Sequence, residues 1–200
     1  MFKLFTRHYS QIGWLLRGRL VFISYRRNDS FDISGRIYDR LSRMRGDGRV
    51  IRDVESFPIG CDFLAYIEDA IRNSRAVIAV IGPDWCVDRA AGRRYFDNAD
   101  DVLTFELVCA RRLGIPIYPV LVNGARLPSA KVLPPELSFI AGLHATRVRS
   151  DLDFHADIER LQRAIDQGGR VRRNRPSAEL FVPPPARGRE PVYALAAFDR

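Results

Sequence analysis

Apolar positions across residues 20–166 switch between two periods. Continuous apolar runs of strand length appear at Leu20–Tyr25, Ala76–Ile81 and Ile115–Val122. Between them, apolar residues recur at helical spacing: Ile33, Ile37, Leu41 and Met44, then Phe63, Ile67 and Ile71. Leu103, Leu107 and Ala110 follow, and finally Phe154, Ile158, Leu161 and Ile165. Steps of three and four put each set on one face of a helix. Val50–Ile51 reads as a short second strand and Leu143–Val148 as a marginal fifth. Asn28, Asp29 or Ser30 is expected to cap the first helix. Gly46 and Gly48 end it.

Strands alternating with helices predict an α/β fold with a parallel sheet. The uninterrupted run Ala76–Ile81 suits a central strand covered on both faces. Five strands with helices on both faces predict a flavodoxin-like sheet of order 2-1-3-4-5. Ligands of such sheets bind beyond the carboxyl ends of the strands, at the switch point. Arg26 and Arg27, the 52–60 loop and the start of the 82–106 segment all follow strand ends, so they should converge on one edge. Residues 82–99, opened by Gly82-Pro83, read as a long irregular segment of the kind that is usually functional.

Charge changes this picture only at the ends. The net charge is +8, yet residues 1–20 hold four basic and no acidic residues, and residues 160–200 hold nine basic against four acidic. The middle is close to neutral, so a specific nucleic-acid partner is not expected. Residues 1–19 read as an N-terminal extension and 20–167 as the domain. Gly168-Gly169 is expected to end it, and 168–200 reads as a disordered basic tail rich in Pro and Arg. Cys61, Cys86 and Cys109 are odd in number and widely spaced, with no CxxC or Cys/His cluster. That favours reduced thiols in a cytoplasmic protein and no structural metal. No stretch of 18 apolar residues exists to span a bilayer.

The candidate chemistry lies in three ordered segments. Val21-Phe-Ile-Ser-Tyr-Arg-Arg-Asn-Asp-Ser30 is a buried strand delivering two arginines to the rim of the sheet. Arg52-Asp-Val-Glu-Ser-Phe-Pro-Ile-Gly60 is a loop shaped by Pro58 and Gly60. Asp100-Asp-Val-Leu-Thr-Phe-Glu106 opens a helix whose Glu106 sits at the edge of the apolar face. The arginine fork binds phosphate or carboxylate equally well. Arg26 and Arg27 therefore suit either a pyrophosphate or a loop tie to Asp53 or Glu55. Trp85, just after the third strand, suits stacking on a base or plain packing. No base is placed to activate Cys86.

These segments resemble those of a TIR domain (Toll/interleukin-1 receptor and resistance-protein type), of the bacterial kind. The likeness covers roughly residues 20–166, with Val21–Ser30 as the first box, Arg52–Gly60 as the BB loop and Ile78–Pro83 as the third-strand motif. It implies either a scaffold that assembles with other TIR domains or an enzyme that cleaves NAD⁺ between ribose and nicotinamide. Under the enzyme reading Glu106 is the catalytic carboxylate, NAD⁺ is a substrate rather than a cofactor, and no metal is required. Tyr25, Arg26, Arg27, Asp53, Phe57 and Trp85 are then the expected nucleotide contacts. Implied partners are NAD⁺, further TIR domains through the 53–60 loop, and a separate sensor or activator. Defence against phage, or toxicity, is the implied setting. Two departures bear on rate and product: Val102 stands where many enzymatic members carry an aromatic residue, and Pro58 where some carry an acid. Trp85 or Tyr95 is the expected compensation for the first. A phosphoacceptor domain of the same sheet order is disfavoured. It needs paired acids after the first strand, where Arg26 and Arg27 stand, and an aspartate ending the third, where Gly82 and Pro83 stand.

Overall fold

The computed structural model describes residues 20–46, 48–52 and 62–172. The expectations for residues 1–19 and for the tail beyond 172, and those for Asp53, Phe57 and the 53–60 loop, lie outside the described residues.

Five strands form one parallel sheet: β1 (Leu20–Ser24), β2 (Val50–Ile51), β3 (Ser74–Ile81), β6 (Ile117–Leu121) and β7 (Thr146–Arg147). Their spatial order is β2-β1-β3-β6-β7, all parallel neighbours. A separate two-stranded antiparallel hairpin, β4 (Val87–Asp88) with β5 (Arg93–Arg94), interrupts the count. Setting it aside leaves the expected 2-1-3-4-5 order.

Strand geometry sends alternate side chains to opposite faces. Val21, Ile23, Ala76, Ile78 and Val80 pack on one side with Ile33, Ile37 and Leu41 of α1 (Arg27–Arg45) and with Phe154, Ile158, Leu161 and Ile165 of α4 (Phe154–Arg172). Phe22, Val77, Ala79 and Ile81 pack on the other. There they meet Ile67 and Ile71 of α2 (Phe63–Arg72) and Leu103, Leu107 and Ala110 of α3 (Val102–Arg112). A 3-10 segment, Pro135–Gly142, adds Leu137 and Ile140 to this second layer. Both faces of the central strand are thus sealed, and this is why β3 carries no polar alternation.

The structure differs from the sequence pattern at five places. Met44 is 38% exposed, because α1 turns its last apolar position outward before Gly46. α4 runs on through Gly168 and Gly169 to Arg172. The first helix has no side-chain cap. Its Ncap is Arg26, and the carboxylate of Asp29 instead accepts from Gly82 N (2.9 Å) and Asp84 N (2.8 Å). α1 kinks at Ser30 (φ −145, ψ 26), whose hydroxyl donates to the Arg26 carbonyl at 3.3 Å. Finally, residues 82–101 are not irregular throughout. They hold the β4–β5 hairpin, closed at Gly92 (φ +64), and a 3-10 turn at Tyr95–Asp97. Val87–Asp88 and Arg93–Arg94 are mostly charged and carry no apolar run, so the pattern does not show them.

Candidate active site

The carboxyl ends of β1 and β2, the start of α1 and the start of α3 enclose an open cleft of about 390 Å³. Tyr25, Arg26, Arg27, Arg52, Tyr95 and Glu106 all line it. This is the switch-point edge, and the expected convergence is present for every described residue except Trp85.

Asp101 shapes one wall. As Ncap of α3 it accepts from Thr104 N (3.1 Å) and Thr104 Oγ1 (2.6 Å), satisfying helix donors that would otherwise lack partners. The same carboxylate takes both ends of the Arg26 fork, at 2.7 and 3.0 Å. Arg26 Nε donates to the Trp85 carbonyl at 2.7 Å, and the guanidinium lies 4.0 Å from the Tyr95 ring centroid. Both side chains of the pair are 8% exposed. Arg26 is therefore a strut between β1, α3 and the 82–101 segment. Each of its three nitrogens already donates within this wall, and Asp53 and Glu55, the other expected partners, lie outside the described residues.

Of the two readings of Trp85, stacking in the cleft or plain packing, the structure has packing. The residue is 1% exposed and packs edge to face on Phe96, with ring centroids 5.5 Å apart. Its ring belongs to the core beneath α3 rather than to the cleft. Among the described residues, the aromatic side chains that face the cleft are Tyr25, Phe63 and Tyr95, with Val102 beside them. Arg27 is exposed at the rim, its guanidinium 5.6 Å from the Phe31 ring. Arg52 was not singled out from the sequence as a site residue. It lies 4.9 Å from the Tyr25 ring and 4.7 Å from Phe31, and donates to the Phe31 carbonyl at 2.9 Å. Its place as the first residue of the second matched segment was the available signal. Asp101 was the other omission, and its position before an apolar helical run marked it as a cap. Among the described residues, no group of three His, Cys, Asp or Glu side chains is placed to hold a metal ion.

Glu106 forms the floor. It is 8% exposed, one of three buried charged residues among the described residues. Burial pushes its pKa up from 4.5 to about 8, and the negative charge of Asp101 adds to the rise. Ser24 and Arg26 oppose it. The Ser24 hydroxyl is itself buried and makes no formed hydrogen bond, so it is placed to donate to the carboxylate once that group is ionised. A buried carboxyl whose folded pKa exceeds its unfolded value stabilises the fold below about pH 4.5 and loses that contribution as pH rises through about 8. Glu106→Gln, neutral and of the same shape, is therefore expected to raise the melting temperature by several degrees at about pH 9 and to change it little at about pH 5. Differential scanning calorimetry at the two pH values checks this.

A TIR-domain family model matches residues 21–162. The chain belongs to the TIR-domain family. Among solved structures, it is similar to the TIR domains of the activated Roq1 resistosome, which directly recognises the pathogen effector XopQ. The TM-score is 0.55 at 15% identity, covering 74% of this chain and 99% of that one. A second likeness, to a metazoan TIR-STING receptor from C. gigas in complex with 2',3'-cGAMP, has a TM-score of 0.46 at 22% identity, covering 72% of this chain and 39% of that one. At its identity the first likeness speaks for the fold alone. No curated protein matches the chain.

Proposed function

We propose that this TIR domain cleaves NAD⁺ between nicotinamide and ribose, with Glu106 as the catalytic carboxylate. The observation that carries the proposal is the Glu106 carboxyl, buried at the floor of an open cleft at the carboxyl edge of the sheet. One carboxylate is enough for this chemistry. Nicotinamide departs as a neutral molecule from a cationic ring, taking the electron pair of the glycosidic bond, so no general acid is needed. The ribose is left with oxocarbenium character, as in glycoside cleavage. An ionised Glu106 beside that carbon offsets the positive charge, and the dry floor strengthens the effect. Water attack completes the reaction to ADP-ribose and a proton. Attack by the adenine of the same molecule gives a cyclic isomer.

Tyr95 supplies the flat apolar wall that Val102 cannot, and Arg27 and Arg52 give the rim the positive charge a pyrophosphate seeks. Tyr95→Phe is expected to keep KM within about twofold, whereas Tyr95→Ala raises KM roughly tenfold, a loss of ~1–2 kcal/mol of ring contact. Steady-state kinetics on the two variants checks this.

Glu106 must shed its proton before it can act. In the free protein that occurs near pH 8, so kcat/KM rises with pH and levels off above about 8. The cationic ring of bound NAD⁺ favours ionisation, so the corresponding limb of kcat lies at lower pH. An acid limb of kcat/KM at about pH 4–5, where an ordinary glutamate ionises, contradicts this assignment.

The alternative is a non-enzymatic scaffold. It has no use for a carboxyl whose burial costs stability at neutral pH. Self-association remains part of the enzyme proposal, with the 53–60 segment as the expected contact and a separate sensor or activator as the expected trigger. Defence signalling is the corresponding biological role. The test is incubation of NAD⁺ with the purified chain over a range of protein concentrations, with products separated by chromatography. The proposal predicts nicotinamide release, with specific activity that increases with concentration. A folded protein that releases none at any concentration or under crowding favours the scaffold.

A further inference from the structure

Arg26 and Asp101 form a closed pair in the wall beside Glu106. The Arg26 fork grips both oxygens of Asp101, and its Nε is held by the Trp85 carbonyl. Asp101 is fixed in turn as the cap of the helix that carries Glu106, through Thr104. All three side chains border one cleft. Among the described residues, the charges that act on Glu106 come from two elements: Arg26 at the end of β1 favours its ionised form, and Asp101 at the start of α3 opposes it. The Ser24 hydroxyl on β1 also favours ionisation. Arg27, Arg52 and Asp100, with the phenols of Tyr25 and Tyr95, line the same cleft.

We propose that Arg26 and Asp101 are positioning residues that set the charge at the floor of the cleft. Asp101 cancels the guanidinium beside Glu106, so that this carboxyl holds its proton until a cationic ligand arrives. Neither residue needs to touch the ligand. The catalytic consequence rests on Glu106 being the reacting carboxylate; the electrostatic arrangement does not.

The two partners bear on Glu106 with opposite sign, and this separates a charge-setting role from a merely structural one. Asn keeps an Ncap oxygen, so Asp101→Asn removes the charge while retaining the helix cap. The experiment follows the Glu106 carboxyl by ¹³C NMR titration of the full chain, its signal assigned by its absence in Glu106→Gln. Asp101→Asn leaves Arg26 uncompensated, and the midpoint is expected to fall by about one pH unit or more. Arg26→Gln leaves Asp101 uncompensated, and the midpoint rises. The double variant returns close to wild type. An unchanged or raised midpoint in folded Asp101→Asn overturns the proposal, as do shifts of the same sign in both single variants. If Arg26→Gln does not fold, Asp101→Asn alone decides. Activity is read separately. If NAD⁺ is cleaved, the acid limb of kcat/KM moves with the titration midpoint. Opposite titration shifts without cleavage in any variant refute the enzyme reading and leave the charge-setting pair in place.

Discussion

Glu106→Gln is expected to lower NAD⁺ cleavage by about 10²–10³-fold, the usual effect of removing one preorganised electrostatic group from a dry site. The substitution keeps size and shape, and the site is already populated by a neutral carboxyl below about pH 8. The folded cleft should therefore persist, and the loss should fall on kcat more than on KM. The amide also relieves the cost of ionising a buried group, so the inactive variant should be the more stable one at alkaline pH. That opposition between activity and stability is specific to a buried reacting carboxylate. A solvated helix glutamate would give little change in either measurement.

Gly82→Ala should unfold the chain more readily than any conservative change on the cleft rim. A β-carbon at Gly82 would lie 2.4 Å from both carboxylate oxygens of Asp29. Real contacts are never that close, so the Asp29 side chain must leave. It would abandon its bonds to Gly82 N and Asp84 N, made where β3 ends and the 82–101 segment begins. Leaving those donors unpaired in a part-buried position costs about 2–4 kcal/mol. At ~2–4 °C per kcal/mol for a domain of this size, the melting temperature falls on the order of 10 °C. Asp29→Ala removes the collision along with the bonds, so the double variant should be little worse than Asp29→Ala alone. Additive losses in thermal denaturation would show that the two positions do not couple.

Much of the fold was legible because burial on two faces writes itself into spacing. Ile33, Ile37 and Leu41 mark a helix face, and the unbroken run up to Ile81 marks a central strand. Glu106 was legible for the same reason, since its place beside Leu103 and Leu107 put it at the edge of a buried face. The wall of the cleft was not. The fork of Arg26 suits phosphate and carboxylate alike, so the sequence leaves both open. Its actual partner, Asp101, lies 75 residues away, and only the tertiary fold brings the two together. Trp85 follows a strand end and so pointed to the cleft, but its ring turns inward onto Phe96. The β4–β5 hairpin is held by Gly92 and by side-chain contacts rather than by any apolar period. Asp29 had the right chemistry for a cap and the wrong neighbour, because Gly82 leaves room for it to reach across.

The central claim is that a buried carboxyl at position 106 drives cleavage of NAD⁺. It is tested most directly by measuring nicotinamide release from NAD⁺ by the wild-type chain and by Glu106→Gln at equal high concentration, with both proteins shown to be folded by circular dichroism. Release by wild type, reduced by at least about 10²-fold in the variant, is the predicted result. Equal release by both proteins would contradict the assignment of Glu106.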